Sequence, residues 1–230
     1  MQPTSDTPKP TTPDSRFFRD FGLLLIGLIV LGFGGRTLFG HDELRPELPI
    51  LLPHILTVGG WYVLLVVQSA LIACKNRALH RRLGKLSALL ALGLVVTGVW
   101  VMAANYRLKD DAPLAFFNCL NLSQFVLLYI LGIRRVKSDR LAHPRLLIWG
   151  AIAMMPPALV RIVQTVGLPE PITVIPMLAL WIPPIRHDWQ LLGRMQRGTR
   201  LGLTVVGLGL VIGPIGFTEV WAGWIEALAG

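Results

Sequence analysis

The stretch "HILTVGGWYVLLVVQSALIACKNRALHRRLGKLSALLALGLVV", residues 54–96, places a basic patch between two long apolar runs. The patch, "CKNRALHRRLGK" at residues 74–85, holds five lysine or arginine residues and one histidine. An apolar helix needs about 20 residues to cross the hydrocarbon core of a bilayer, and both flanking runs approach that length. The stretch therefore predicts two membrane-spanning helices joined by a cationic loop.

The rest of the chain has the same character. Of its 230 residues, 53% are hydrophobic and only 15% are charged, and the mean hydropathy is +0.59. These values are far from those of an ordinary soluble domain. The net charge of +9 could attract nucleic acid, but the cations fall in short clusters between apolar segments instead of along one polar face. We therefore expect a lipid bilayer, and not nucleic acid, as the main partner.

Apolar runs predict an all-α membrane protein in which residues 17–230 form a single bundle of seven transmembrane helices. The runs lie at residues 20–38, 50–74, 86–106, 114–134, 146–166, 171–186 and 202–224. The sixth run is short and rich in proline, so we expect that helix to be kinked. Its prolines are Pro171, Pro176, Pro183 and Pro184. Residues 1–16 mix prolines and threonines with charged residues and predict a disordered cytoplasmic tail.

Basic residues predict the orientation of this bundle. Most of the 22 lysines and arginines lie in the tail and in the three loops that seven crossings place on the same side. The loops of the opposite side hold only Arg36, Arg45, Arg107 and Lys109. Because cationic loops stay in the cytoplasm during insertion, we expect a cytoplasmic N-terminus and a periplasmic C-terminus in a bacterial inner membrane.

Two blocks of the sequence resemble a known group of proteins. "HILTVGGWYVLLVVQSALIACKNRALHRRLG", residues 54–84, looks like the hallmark of a group of uncharacterised bacterial multi-pass membrane proteins. In that group a histidine, a tryptophan and a glutamine precede a His-Arg-x-Leu-Gly loop. "HPRLLIWGAIAMMPPALVRI", residues 143–162, is similar to the group's second block.

This resemblance covers most of residues 50–200 and implies a fold far better than a function. The positions that it marks are His54, Trp61, Gln68, His80, Arg82, Gly84, His143, Arg145 and Arg161. It also implies an aspartate after the sixth helix, matched by Asp188, and a His-Pro pair eight residues later. This chain departs from the pattern there, because it has Gln196 and Arg197.

Polar side chains recur at one depth in the outer half of the predicted bundle. A polar group inside a bilayer is costly and therefore suggests a function. We expect a pocket for a small amphiphilic, lipid or quinone-like ligand, with Arg161 directed into the bundle. Its residues would be His54, Gln68, Asn118, Asn121, Arg161 and Glu219, of which Gln68 is the deepest. The alternative is a structural ion pair between Arg161 and Glu219, or extension of either side chain to the interface.

A second polar group lies at the predicted inner ends of the helices. His80, His143 and Asp188 suit a metal, so the alternative function is a membrane metalloprotein or a haem or redox enzyme. No HxxxH, HExxH or CxxC motif supports that site, so the cofactor stays unknown. The other interpretation is that the two histidines cap helix ends by bonding carbonyl groups, while Asp188 bonds a neighbouring cation. The chain lacks the GxSxG and Walker motifs of common enzyme classes, so enzymatic activity is left open.

Overall fold

The chain is helical over nearly all of residues 12–39 and 48–229, which are the residues that the computed structural model describes. No strand occurs among them, so the all-α class is confirmed for this part of the chain. The helices are α1 (Thr12–Ile29), a π-helical turn (Val30–Gly34), α2 (Gly35–Leu38), α3 (Leu48–Ala73), α4 (Arg77–Lys109), α5 (Ala112–Arg134), α6 (Ala142–Ala153), α7 (Pro156–Thr165), a 3₁₀ turn (Glu170–Thr173), α8 (Val174–Ala179), α9 (Ile182–Leu192), α10 (Arg197–Ile212), a second 3₁₀ turn (Gly213–Phe217) and α11 (Glu219–Ala229).

Five helical stretches within the described residues are long and apolar enough to cross a membrane. They are Asp14–Leu38, Leu51–Ala73, Arg77–Leu108, Ala112–Arg134 and Arg197–Phe217. The bent pair of α6 and α7 makes a sixth if it is counted as one span. These spans indicate a multi-pass membrane protein. We call the end of the bundle that contains residues 74–76 and 135–141 the inner end, and the opposite end the outer end.

A seventh crossing is not confirmed. Residues 171–186, predicted as the sixth span, are divided among a 3₁₀ turn and the short helices α8 and α9. Proline accounts for these breaks, since it lacks an N–H and disfavours helical geometry in the residue before it. The predicted seventh run, 202–224, is also divided: the span ends at Phe217, and α11 starts separately at Glu219.

A sharp bend also lies in the fifth predicted run. α6 and α7 meet at an angle of 43°, just before the pair Pro156 and Pro157. Neither proline has the N–H that would bond the carbonyl four residues earlier. The hydroxyl of Tyr62 on α3 donates to the carbonyl of Ala151 at 2.8 Å, next to this break. A tertiary hydrogen bond thus supports the backbone where the helix loses its own bonds.

The first helix begins earlier than the sequence predicted. Residues 12–16 belong to α1 instead of a disordered tail, and both Asp14 and Ser15 are buried. Pro13 suits the first turn of a helix, where a missing N–H costs no bond. The predicted tail over residues 1–11 lies outside the described residues.

Glycines allow α10 to pack closely against α5 and α6. A Cβ built on Gly198 would lie 2.8 Å from the Cα of Ala142, and one on Gly202 would lie 2.2 Å from Cγ of Trp149. Trp149 is fully buried in the core, and so is Trp61 on α3. Small residues at helix contacts are typical of membrane bundles, in which packing drives association.

Candidate functional site

Arg145 is the centre of a buried ion-pair network at the inner end. Its Nε donates to Oδ1 of Asp188 at 2.6 Å, and its two Nη atoms donate to the carboxylate of Asp14 at 2.9 and 3.2 Å. Nη1 also donates to the carbonyl of Leu141 at 2.9 Å. All three charged side chains have a relative exposure of 1%. The network joins α1, α6 and α9.

The same network extends to the start of α10. The other oxygen of Asp188, Oδ2, accepts a hydrogen bond from the backbone N–H of Gln196 at 2.9 Å. The side-chain amide of Gln196 lies 3.2 Å from both carboxylate oxygens of Asp139. Asp139 in turn accepts from the N–H of Ala142 at 2.9 Å and so caps α6. Gln196 therefore links the start of α10 to the start of α6.

His187 adds an imidazole to the rim of this network. Its Nε2 lies 3.0 Å from Oδ1 of Asp14, and its ring stacks on that of Phe17 with 4.0 Å between centroids. The ring of Phe18 lies 5.4 Å from the guanidinium carbon of Arg145. Sequence reasoning missed Asp14 as a partner of Arg145 and His187, because Asp14 was assigned to the tail. The signal that could have found Asp14 is the Pro-Asp-Ser start of the first helix.

His80 and His143 occupy equivalent positions in two helical hairpins. His80, in the first turn of α4, places Nδ1 3.3 Å from the carbonyl of Gln68 on α3. His143, in the first turn of α6, places Nδ1 2.9 Å from the carbonyl of Gly132 on α5. Each histidine thus ties the start of one helix to the end of the helix before it, as the capping interpretation expects.

The amide of Gln68 lies deeper in the same interface. Gly84 lies one turn after His80, and a Cβ built on Gly84 would lie 3.6 Å from Nε2 of Gln68. Both Gln68 side-chain atoms, Oε1 and Nε2, are buried and meet no hydrogen-bond partner among the described residues. The structure therefore places Gln68 with His80 at the inner end, whereas the sequence grouped it with His54.

The predicted metal ligands are divided between two places. His80 and His143 contact carbonyl oxygens of α3 and α5, whereas Asp188 is bound by Arg145 and by the N–H of Gln196. Within residues 12–39 and 48–229, no three His, Cys, Asp or Glu side chains come together in a way that could hold a metal ion. A metal at this end would need ligands beyond these side chains.

His54 lies at the outer end of the α3–α4 interface. Its Nδ1 is 3.2 Å from Oγ1 of Thr97 on α4, and the hydroxyls of Thr57 and Thr97 are 2.9 Å apart. Thr57 also donates to the carbonyls of Pro53 and His54 at 3.0 Å. The histidine is thus part of a small hydroxyl cluster between two helices.

Arg161 faces the first span. Its guanidinium carbon lies 4.3 Å from the ring centroid of Phe33, and its Nη1 donates to the carbonyl of Pro157 at 2.8 Å. Close by, Gln164 bonds both Arg36 and Glu170. The outer end of α7 is therefore tied to the first span and to the 3₁₀ turn that follows α7.

Two concave surfaces flank the first turns of α5. One is a narrow cleft against α4, and its lining includes Asn118, Asn105, Tyr106 and Asp111. The other is an open groove of about 180 Å³ against the second 3₁₀ turn and α11, and Glu219 is part of its lining. Asn121 is half-buried one turn along α5 from Asn118.

The six predicted ligand residues thus divide among several neighbours. His54 contacts Thr97, Arg161 contacts the first span, and Gln68 lies at the inner end. Asn118 and Glu219 line different concave surfaces on the two sides of α5. Ligand binding by these residues stays a prediction.

Comparison with known proteins gives no match to a family model, a curated protein or a solved structure.

Proposed function

We propose that this chain is a bacterial inner-membrane protein that binds a small amphiphilic, lipid or quinone-like molecule in the outer half of its bundle. The observation that carries the proposal is the groove beside the start of α5. Its volume of about 180 Å³ suits a headgroup or a single ring and not a whole amphiphile. The remainder of such a molecule would lie along the lipid-facing surface.

The groove has a polar end and an apolar end. Glu219 and Thr218 supply carboxylate and hydroxyl oxygens, while Phe217, Ala112 and Pro113 supply apolar lining. Phe217 is also 71% exposed, and Val220 and Trp224 beside it are similarly exposed. An amphiphile could bond the oxygens with its headgroup and lay its chain against these side chains.

A narrow polar cleft lies on the other side of α5. Asn105, Tyr106, Asp111 and Asn118 place amides, a phenol and a carboxylate around it, but it has no room for a ligand. Both concave surfaces lie at the outer end, where the sequence predicted the pocket.

Seven crossings with a cytoplasmic N-terminus belong to this proposal. Glu170 bonds Gln164 at the outer end, whereas Asp188 bonds Arg145 at the inner end. These two contacts at opposite ends support a crossing by the chain between Glu170 and Asp188, although proline divides that segment into short helices. The cationic loops 75–85 and 134–140 at the inner end favour a cytoplasmic location for that end.

The second candidate function is a metal or haem protein that uses the inner end. The carbonyl contacts of His80 and His143 favour it, because an imidazole whose Nδ1 bonds a carbonyl leaves Nε2 for a metal. The surrounding charge opposes it. Arg81 and Arg82 directly follow His80 in the sequence, and Arg140 lies three residues before His143; these cations would repel a divalent cation.

Extraction and mass spectrometry of the purified protein tests the first candidate. We expect one lipid or quinone-like molecule per chain in the natural protein, and a loss of most of it in Glu219→Gln, because Glu219 lines the groove. Glu226→Gln is the matched control, since it alters a carboxylate of the same helix outside the groove. Equal retention in all of the variants, or no bound amphiphile in the natural protein, would contradict the proposal.

Metal analysis and an absorption spectrum of the same sample test the second candidate. Stoichiometric iron or zinc, or a Soret band, that disappears in His80→Ala and His143→Ala would reverse the order of the two candidates.

A further inference from the structure

We infer that the inner half of the α3–α4–α5 interface is a water-filled path that opens at the inner end and stops at mid-bundle. We call it the inner polar seam and define it by Gln68 and Trp61 on α3, Ser87 on α4 and Tyr129 on α5. His80 lies at its mouth. Its ligand is water, and the inference is independent of the amphiphile site at the outer end.

Unpartnered polar atoms are the first observation. Gln68 Oε1, Gln68 Nε2 and Trp61 Nε1 are buried, and no described residue offers them a hydrogen bond. A buried amide or indole N–H without a partner is unfavourable, and proteins usually satisfy such groups with internal water. Gln68 provides a donor and an acceptor at one point, which suits water well.

Continuity is the second observation. His80 contacts the backbone of Gln68, and the amide of Gln68 faces Gly84, whose missing side chain leaves space there. One turn deeper, Ser87 donates to the carbonyl of Gly84 at 2.7 Å, and its hydroxyl is 3.0 Å from that of Tyr129. Polar atoms thus follow one another from the inner end into the bundle.

Trp61 marks the deep end of the seam. Its ring meets that of Tyr129 edge to face with 5.5 Å between centroids, so its N–H belongs to the same interface. Seven residues separate Trp61 from Gln68, or about 10 Å along a helix.

An apolar layer closes the seam towards the outer half. Leu94 on α4 and Phe125 on α5 are both fully buried, and Ala91 is 6% exposed. Beyond this layer, the hydroxyls of Thr57 and Thr97 bond each other. The next polar cluster is therefore separated from the seam by packed side chains.

Cysteine reactivity distinguishes a wet seam from a dry one. Cys74 and Cys119 are first replaced by serine and alanine, respectively, in the full chain. Ser87→Cys then places a thiol within the seam, and Ala91→Cys places one a turn deeper on the same face. Ser87 and Ala91 have almost equal exposed fractions, 7% and 6%, so exposure in the structure alone predicts equal reactivity of the two thiols.

Silver ion is the probe, because it is small and reaches thiols through water. The detergent-purified protein is treated with silver, quenched and denatured, and the remaining thiols are counted by mass after reaction with maleimide. We expect Ser87→Cys to react at least tenfold faster than Ala91→Cys. Adding Gln68→Leu to Ser87→Cys should slow that reaction at least tenfold. Equal rates for the two thiols, whether fast or slow, would overturn the inference.

Thermal unfolding of Gln68→Leu gives a second, cysteine-free test. If no water bonds the buried amide of Gln68, its replacement by leucine, which is similar in size, removes an unpaired polar group and raises Tm by about 3 °C or more. If water satisfies the amide, we expect a Tm no higher than that of the natural protein. A clear rise would therefore overturn the inference even if the cysteine variants fail to fold.

Discussion

The indole of Trp149 occupies the space in which a side chain at residue 202 would lie. A Cβ on Gly202 would be 2.2 Å from Cγ of Trp149 and 2.5 Å from its Cβ. Trp149 is fully buried and Gly202 is buried, so neither can move into lipid without opening the core. The contact fixes how closely α10 approaches α6.

Gly202→Ala should therefore destabilise the protein. Overpacking a well-packed core typically costs about 1–3 kcal/mol, and here the obstacle is a large fixed ring. Gly207→Ala is the matched control on the same helix, because a Cβ there would lie 4.0 Å from the ring of Trp181. Thermal unfolding in detergent should show a lower Tm for Gly202→Ala only. Similar Tm values for both variants would show that α10 can shift away.

Arg145→Met should destabilise the protein more strongly. It leaves the buried carboxylates of Asp14 and Asp188 without their shared cation, and breaking a buried ion pair costs about 3–5 kcal/mol. Adding Asp14→Asn and Asp188→Asn should restore part of the stability, since the uncompensated charges are then removed. Chemical unfolding of the single and triple variants measures this. A triple variant less stable than Arg145→Met would contradict an electrostatic origin.

Gly32→Ala should disturb the contact between the first span and α7. A Cβ on Gly32 would lie 2.4 Å from the carbonyl oxygen of Ala158, which is backbone and cannot rotate away. Gly27→Ala lies in the same span with no heavy atom within 4 Å of its new Cβ, and should be neutral or slightly stabilising. The difference in Tm between the two variants tests the close approach of these helices.

A reporter fused after Gly230 tests the number of crossings. Seven crossings from a cytoplasmic N-terminus place the fusion in the periplasm, where alkaline phosphatase is active and green fluorescent protein exported in the unfolded state is dark. A fluorescent green fluorescent protein fusion and an inactive alkaline phosphatase fusion would instead mean an even number of crossings. The segment 170–192 would then be the one that fails to cross, because proline divides it.

Hydropathy alone was enough to predict the helical class and most of the spans. Apolar runs near 50–74, 86–106 and 114–134 correspond to α3, α4 and α5, because a bilayer demands long helices there. The spans predicted from hydropathy differ from the structure where proline and glycine control the backbone. The bend before Pro156 and the break at Thr218 depend on local geometry that an average over 20 residues removes.

Polar contacts were harder to predict than spans. The histidine caps and a cation partner for Asp188 were among the sequence's alternatives, and the structure supplies carbonyls and Arg145 in those roles. Asp14 was missed because its partner lies far along the chain. Depth along a helix, which grouped His54 with Arg161, does not say which face of the helix a side chain occupies.

Asp14 is synthesised long before the residues that it bonds. It is separated from Arg145 by 131 positions and from His187 by 173. At about 5–20 residues per second, the ribosome needs roughly 7–26 s to make the guanidinium that the carboxylate will bond. Because Asp14 lies in the first turn of α1, at the rim of the bundle, the bare carboxylate can stay in water during that interval. The placement lets the first helix insert before the bonds that anchor it exist.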